Sequence, residues 1–108
     1  MAEVRLHVLY PHPTDVDQFE QDYAQHVALL HEKMHIPAEA RPYSITRFVT
    51  TPLGPPSHHQ MFTMPFPSAE ALQEAMLSPA MQEVAADALR ISSGGPPVIL
   101  VGAEHAVE

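Results

Sequence analysis

Residues 31–35 of the chain read HEKMH. On a helix, histidines four apart offer their nitrogens from one face, and a glutamate between them can activate a metal-bound water. That is the pattern of a zinc hydrolase, with His58 or His59, a loop away, as third ligand. Three features weigh against it. Eight histidines in 108 residues make the five letters easy to produce by composition. Lys33 places a cation inside the motif, where it repels a metal. Pro37 ends the helix just past His35, which leaves that ligand on a fraying turn. We expect no stoichiometric metal at these positions, although His31 and His35 offer nitrogens for adventitious binding. The zinc hydrolase is the weakest of three functional readings.

The other chemistry-bearing side chains are subtler. His26 borders an apolar stripe formed by Tyr23, Val27 and Leu30, at the edge of a helix-to-sheet interface. Read from its neighbours alone, it is a histidine satisfied by a nearby carbonyl. His58 and His59 alternate along an expected strand and so face opposite ways, allowing at most one into any pocket. His7 and Arg47 lie opposite Val8 and Phe48 on their strands, a placement that directs them into a dimer interior. Met61, Met64, Met76 and Met81 read as core and as an adaptable lining for an apolar ligand. There is no GxSxG elbow, no GxGxxG after the first strand and no GK[ST] phosphate loop. SSGG precedes a strand rather than opening a helix, so it terminates a helix and does not cradle phosphate.

The elements that must position these groups are punctuated by twelve prolines. EVRLHVLY, residues 3–10, puts Val4, Leu6, Val8 and Tyr10 on one face of a strand, closed by Pro11 and Pro13. Thr14 is the expected N-cap of a helix running to about His35, with Asp15 and Asp17 in its first turn and apolar residues from Val16 to Met34 at spacings of three and four. Residues 43–51 read as a second strand and 58–64 as a third, closed by Pro65 and Pro67. Ser68 caps a short helix, and Ser78-Pro79 restarts it to about Ile91. PPVILVGA supplies the fourth strand. The order β-α-β-β-α-β favours a ferredoxin-like α+β fold, with one antiparallel four-stranded sheet and its helices on one face. Strand four is apolar on both sides, with Val98 and Leu100 against Ile99 and Val101. A half-apolar open sheet face on so small a domain calls for a second sheet, and a homodimer joined through the sheet faces is its simplest source.

The composition narrows the partners. The length suits one domain, residues 1–108. Five basic against 13 acidic residues give a net charge of −8, which argues against nucleic acid and anionic membrane. There is no cysteine, so disulfides and thiolate chemistry are excluded. MAEVRLHVLYPHP lacks the pattern of a signal peptide, and the longest apolar run, VILV, is far short of a membrane span. We expect a soluble, cytoplasmic protein.

Residues 9–26, LYPHPTDVDQFEQDYAQH, resemble the EthD family, named for a protein linked to ethyl tert-butyl ether degradation. Its members open with a strand, a Tyr-Pro-x-Pro-x-Asp turn and a helix carrying Phe, Tyr and His at this spacing. AADALRISSGGPPVILVG, residues 85–102, is similar to the family's closing helix, Gly-Gly turn and last strand. The family pattern follows its histidine with an apolar residue and then Pro-Leu; here the run is Val27-Ala28-Leu29. The resemblance implies a dimeric α+β barrel. It places the family's helix histidine on His26, as general base or ligand partner, with its tyrosine on Tyr23. The leading reading is a homodimer that holds a small, mostly apolar organic molecule between helices and sheet. The pocket is expected among Tyr10, Phe19, Leu30, Phe62 and Met64. Any reaction is expected to be cofactor-free acid–base, oxygenase or cyclase chemistry; the alternative is a non-catalytic binding or accessory protein.

Overall fold

The computed structural model describes residues 3–105. The outermost ends of the expected domain, residues 1–2 and 106–108, lie outside the described residues. The chain forms β1 (Val4–Tyr10), α1 (Val16–Lys33), β2 (Ser44–Arg47), β3 (Gln60–Phe66), α2 (Ala69–Leu77), α3 (Pro79–Ile91) and β4 (Val98–Ala103). The strands build one sheet in the order β2-β3-β1-β4, every neighbouring pair antiparallel. This is the ferredoxin-like α+β arrangement.

Registers explain the two faces. Val8 stands opposite Phe62 on β3 and Ile99 on β4, so these three point to the helix side. His7 stands opposite Thr63 and Leu100, on the open side. The core lies between the helix-side residues and α1, α2 and α3. Val8 touches all three of its apolar clusters, around Phe19, Leu72 and Phe62, and so sits at their junction. The open face carries Leu9, Met61, Val98 and Leu100, with Val98 41% and Leu100 52% exposed.

Caps and turns follow side-chain chemistry closely. Asp15, rather than Thr14, caps α1: its Oδ1 accepts from the Gln18 amide at 3.1 Å, while the Thr14 amide donates to Ser93 Oγ. The Thr14 amide ties the start of α1 to the turn before β4. In that turn a Cβ on Gly94 would lie 1.9 Å from the carbonyl oxygen of His12, so only glycine admits the approach. Ser78 serves two helices: its hydroxyl donates to the Ala75 carbonyl at 2.6 Å and accepts from the Met81 amide at 3.2 Å.

Three strand and helix bounds differ from expectation. β2 ends at Arg47 because residues 51–54 turn back on themselves, with Thr51 and Gly54 exchanging both backbone hydrogen bonds and Gly54 at φ +125°. β3 begins at Gln60, so His58 and His59 precede it, and it runs through Pro65 to Phe66. β2 reaches only as far as Thr63, leaving the outer edge of β3 unpaired at Pro65, where proline is tolerated. α1 ends at Lys33, with His35 beyond it at φ +55°.

Candidate functional site

α1 crosses the sheet with Phe19, Tyr23, His26 and Leu30 buried at steps of four, three and four. These steps drift around the helix, and the drift sorts their roles. Tyr23 turns toward the sheet, edge-on to Tyr10 at 5.6 Å and stacked on Phe19 at 5.6 Å. His26 turns toward α3, where its Nδ1 lies 2.8 Å from Oδ2 of Asp87. The carboxylate only accepts, so Nδ1 carries the hydrogen and donates it. Asp87 is held in turn by Arg90, whose Nε donates to Oδ1 at 2.8 Å from one turn further along α3. The hydrogen bond described for the His26 ring is at Nδ1 and none is described at Nε2; behind it, the buried Tyr23 hydroxyl has no hydrogen-bond partner among the described residues.

His26 borders a cavity of about 70 Å³ between the helices and the sheet. Its floor is Leu6, Val8 and Tyr10 of β1 with Phe62 and Met64 of β3. α1 adds His26, Val27 and Leu30; α3 adds Met81, Val84 and Ala88. Met76 closes it from α2 and Ile99 from β4. The walls are therefore apolar, with His26 and Tyr10 as the ionisable side chains among the described lining residues. Of the residues expected at a pocket, Tyr10, Leu30, Phe62, Met64 and His26 line this cavity, while Phe19 and Tyr23 stand behind Tyr10 as packing. Amphipathic spacing marks a buried face but does not tell cavity-facing from core-facing positions on it.

Electrostatics keep the site neutral apart from its anchor. Burial disfavours the imidazolium and lowers the pKa of His26, against the opposing hydrogen bond and charge of Asp87. Burial alone would raise the Asp87 carboxyl, but the hydrogen bonds from His26 and Arg90 outweigh it and hold the group below its usual range. Burial, then the proximity of Tyr23 and Asp87, pushes the Tyr10 phenol upward. At neutral pH the site thus offers an uncharged imidazole, an ionised Asp87 outside the apolar chamber, and a protonated phenol.

Two sequence expectations take a different form in the structure. Arg47 does not enter the open sheet face. It stands opposite Gln60 on the helix side, where it donates to Gln60 Oε1 at 3.2 Å and pairs with Glu20 of α1. His58 and His59 do not alternate along a strand; His58 Nδ1 lies 3.0 Å from Ser57 Oγ, and His59 packs edge-on against Phe19. Nor is the HEKMH helix a ligand platform. His31 lies 3.1 Å from the Pro37 carbonyl through Nδ1 and 2.7 Å from the Tyr43 hydroxyl through Nε2. Nδ1 must donate to the carbonyl, so Nε2 accepts from the phenol, and neither nitrogen keeps a lone pair for a metal. Among the described residues no group of three or more His, Cys, Asp or Glu could hold a metal ion.

Neither a family model nor a curated protein matches the sequence. Solved structures do. An EthD family protein from Bacillus halodurans C-125 is 27% identical, with a TM-score of 0.78 over 95% of this chain and 99% of that one. Hydroxynitrile lyase from Passiflora edulis has a TM-score of 0.73 at 15% identity, over 99% of this chain and 97% of that one. A dimeric ferredoxin-like protein of unknown function from Jannaschia sp. CCS1 gives 0.67 at 11%, over 92% and 96%. The latter two speak to the fold alone. The chain is a ferredoxin-like α+β protein. Within that class it is similar to the EthD family protein from Bacillus halodurans.

Proposed function

We propose that the chain is an EthD-like homodimer, one domain per chain, that takes a small, mostly apolar organic molecule into the cavity between helices and sheet. Nε2 of His26 is the group that meets it. The observation that carries this reading is an imidazole oriented through Nδ1 by Asp87, with no hydrogen bond described at Nε2, on a chamber whose other described lining residues are apolar apart from Tyr10. Such a nitrogen accepts a hydrogen bond in a carrier and a proton in a catalyst. Acid–base chemistry of this kind requires no metal or cofactor. Tyr10 supplies a protonated phenol from the floor of the cavity, and Tyr23 packs against both rings from behind.

The homodimer reading rests on the apolar residues of the open face and on β4, whose Ile99 and Val101 are also about half exposed on the other side. Its acidic charge supports a soluble, cytoplasmic protein with neither nucleic acid nor membrane as partner; no helix of the described residues is long and apolar enough to cross a membrane.

The test is direct. Protein purified without added ligand is crystallised and the cavity searched for density, then His26→Ala is compared with wild type. We expect the variant to fold and dimerise yet lose ligand occupancy; undiminished occupancy makes His26 structural only. Light scattering that returns a single-chain mass at micromolar concentration excludes the dimer.

A further inference from the structure

Resting on that reading, we propose that the Asp87–Arg90 pair locks His26 in the Nδ1–H form, so that the cavity selects molecules that donate a hydrogen. The ligand class is then a small apolar compound bearing a weakly acidic O–H, N–H or C–H, as opposed to an ether, ketone or anion that can only accept.

Donor and acceptor sense fixes the ring. Arg90 has no lone pair to offer, so Oδ1 of Asp87 must accept from its Nε, at 2.8 Å. The remaining oxygen, Oδ2, faces Nδ1 of His26 at 2.8 Å and can only accept as well. Nδ1 therefore carries the hydrogen, and a neutral ring then has none left for Nε2. Free imidazole side chains choose between two forms; this one has the choice removed by the carboxylate of Asp87, which Arg90 anchors from its other oxygen. The aliphatic, methionine and phenylalanine walls offer Nε2 no donor, and the Tyr10 hydroxyl, the other polar group among the described lining residues, makes no hydrogen bond to it, so the donor has to arrive with the ligand. A ligand that presents only lone pairs to Nε2 leaves two acceptors facing each other in an apolar chamber, which disfavours it.

Asp87 and Arg90 are positioning residues, since they reach the ligand only through His26. A merely structural role would leave the tautomer unchanged, so the tautomer is the first readout. In Asp87→Asn, Arg90 continues to demand the side-chain oxygen. The amide NH2 is then turned toward Nδ1, which must accept, and the ring hydrogen moves to Nε2. In Asp87→Asn combined with Arg90→Ala the amide is free to flip, and the Nδ1–H form returns in part.

Nitrogen-15 NMR of the His26 ring at neutral pH reads these states without any ligand. We expect Nδ1–H in wild type, Nε2–H in Asp87→Asn, and a mixture in the double variant. An Nε2–H ring in wild type, or an unchanged ring in Asp87→Asn, overturns the lock. Phenol and cyclohexanone, similar in size but opposite in hydrogen-bonding sense, are then titrated against each protein. Wild type should prefer phenol by about tenfold or more, the equivalent of one hydrogen bond in a dry site, and Asp87→Asn should lose or reverse that preference. Equal preference in both proteins overturns the selectivity. If neither probe binds any of them, the cavity reading fails, whereas the tautomer lock still stands or falls on the ring spectrum. Circular dichroism of each variant separates these outcomes from misfolding; if Asp87→Asn does not fold, Asp87→Ala, which removes the acceptor at Nδ1, should give a mixture of ring forms, and an Nδ1–H ring retained there overturns the lock.

Discussion

His26 and His31 lie five residues apart on the same helix, and each makes a short hydrogen bond to a group far along the chain. They differ in what is left over. His31 spends both nitrogens, one on the backbone at Ile36 and Pro37 and the other on Tyr43, whose ring it meets edge-on at 5.6 Å. It pins the chain that leaves α1 to the segment that enters β2. His26 spends one nitrogen on Asp87 and keeps the other toward a cavity. Residue type and helix are the same, though His26 is buried and His31 only half-buried; the unspent lone pair is the difference that matters. A histidine's role is better read from its remaining hydrogen-bonding capacity than from the motif around it.

The contrast can be broken most forcefully at the cavity. If the protein turns over its ligand, His26→Ala should cost about 10²–10⁴-fold in rate, the range of a general base, whereas His31→Ala should leave turnover within a factor of a few. Comparable losses in the two variants would erase the distinction.

Stability reverses the order. His31→Ala leaves the Tyr43 hydroxyl without its acceptor, and we expect a loss of about 1–3 kcal/mol in urea unfolding. Tyr43→Phe should cost less, about 1 kcal/mol, because it removes the donor but keeps the ring packing. A His31→Ala protein as stable as wild type would mean that the clasp contributes nothing.

A pH series sharpens the comparison further. The pKa of His26 is lowered on folding from 6.5. As pH falls through 6.5 the unfolded chain takes up a proton that the folded chain refuses, so the stabilising effect of a neutral His26 is present above that pH and declines toward the lower folded value. The pKa of Asp87 is also lowered, so its contribution persists to below 3.8 before it too is lost. Urea midpoints measured from pH 7.5 to 5 should fall in wild type, and less steeply in His26→Asn. Parallel curves would assign the acid sensitivity to other groups.

The smallest expected effect is none. Glu32→Gln should change neither metal content nor activity, and dialysed protein should carry no stoichiometric zinc. Near-unit zinc, lost in His31→Ala and His35→Ala, would break the clasp reading and restore the hydrolase.

Much of the scaffold was legible because prolines and serine caps isolate each periodic stretch. β1 shows period two from Val4 to Tyr10, and Ser68 and Ser78-Pro79 mark the starts of α2 and α3 as the structure has them. The errors came where two residues compete for one job. Thr14 and Asp15 both suit an N-cap, and the structure has the Asp15 side chain accept from the Gln18 amide. Pro65 reads as a terminator until the short reach of β2 shows that its edge is free. In the site, the resemblance pointed to His26, but no local signal points to Asp87. It sits in AADALR, an ordinary amphipathic stretch, and its partner is 61 residues away. Tyr23 shares a buried helix face with His26, and only the packing of Tyr10 and Phe19 settles which of them reaches the cavity.

Ser78 gives the chamber a mechanical property. Met76 and Met81 close the cavity from either side of it, and a single hydroxyl fastens the end of one helix to the start of the next. The gap between those two methionines is therefore governed by the angle at one joint more than by the length of either side chain. A stiff joint gives a chamber with a size limit. Loosened by Ser78→Gly, the same residues would become two walls that move separately, and the upper bound on guest size would turn from a fixed gauge into a distribution.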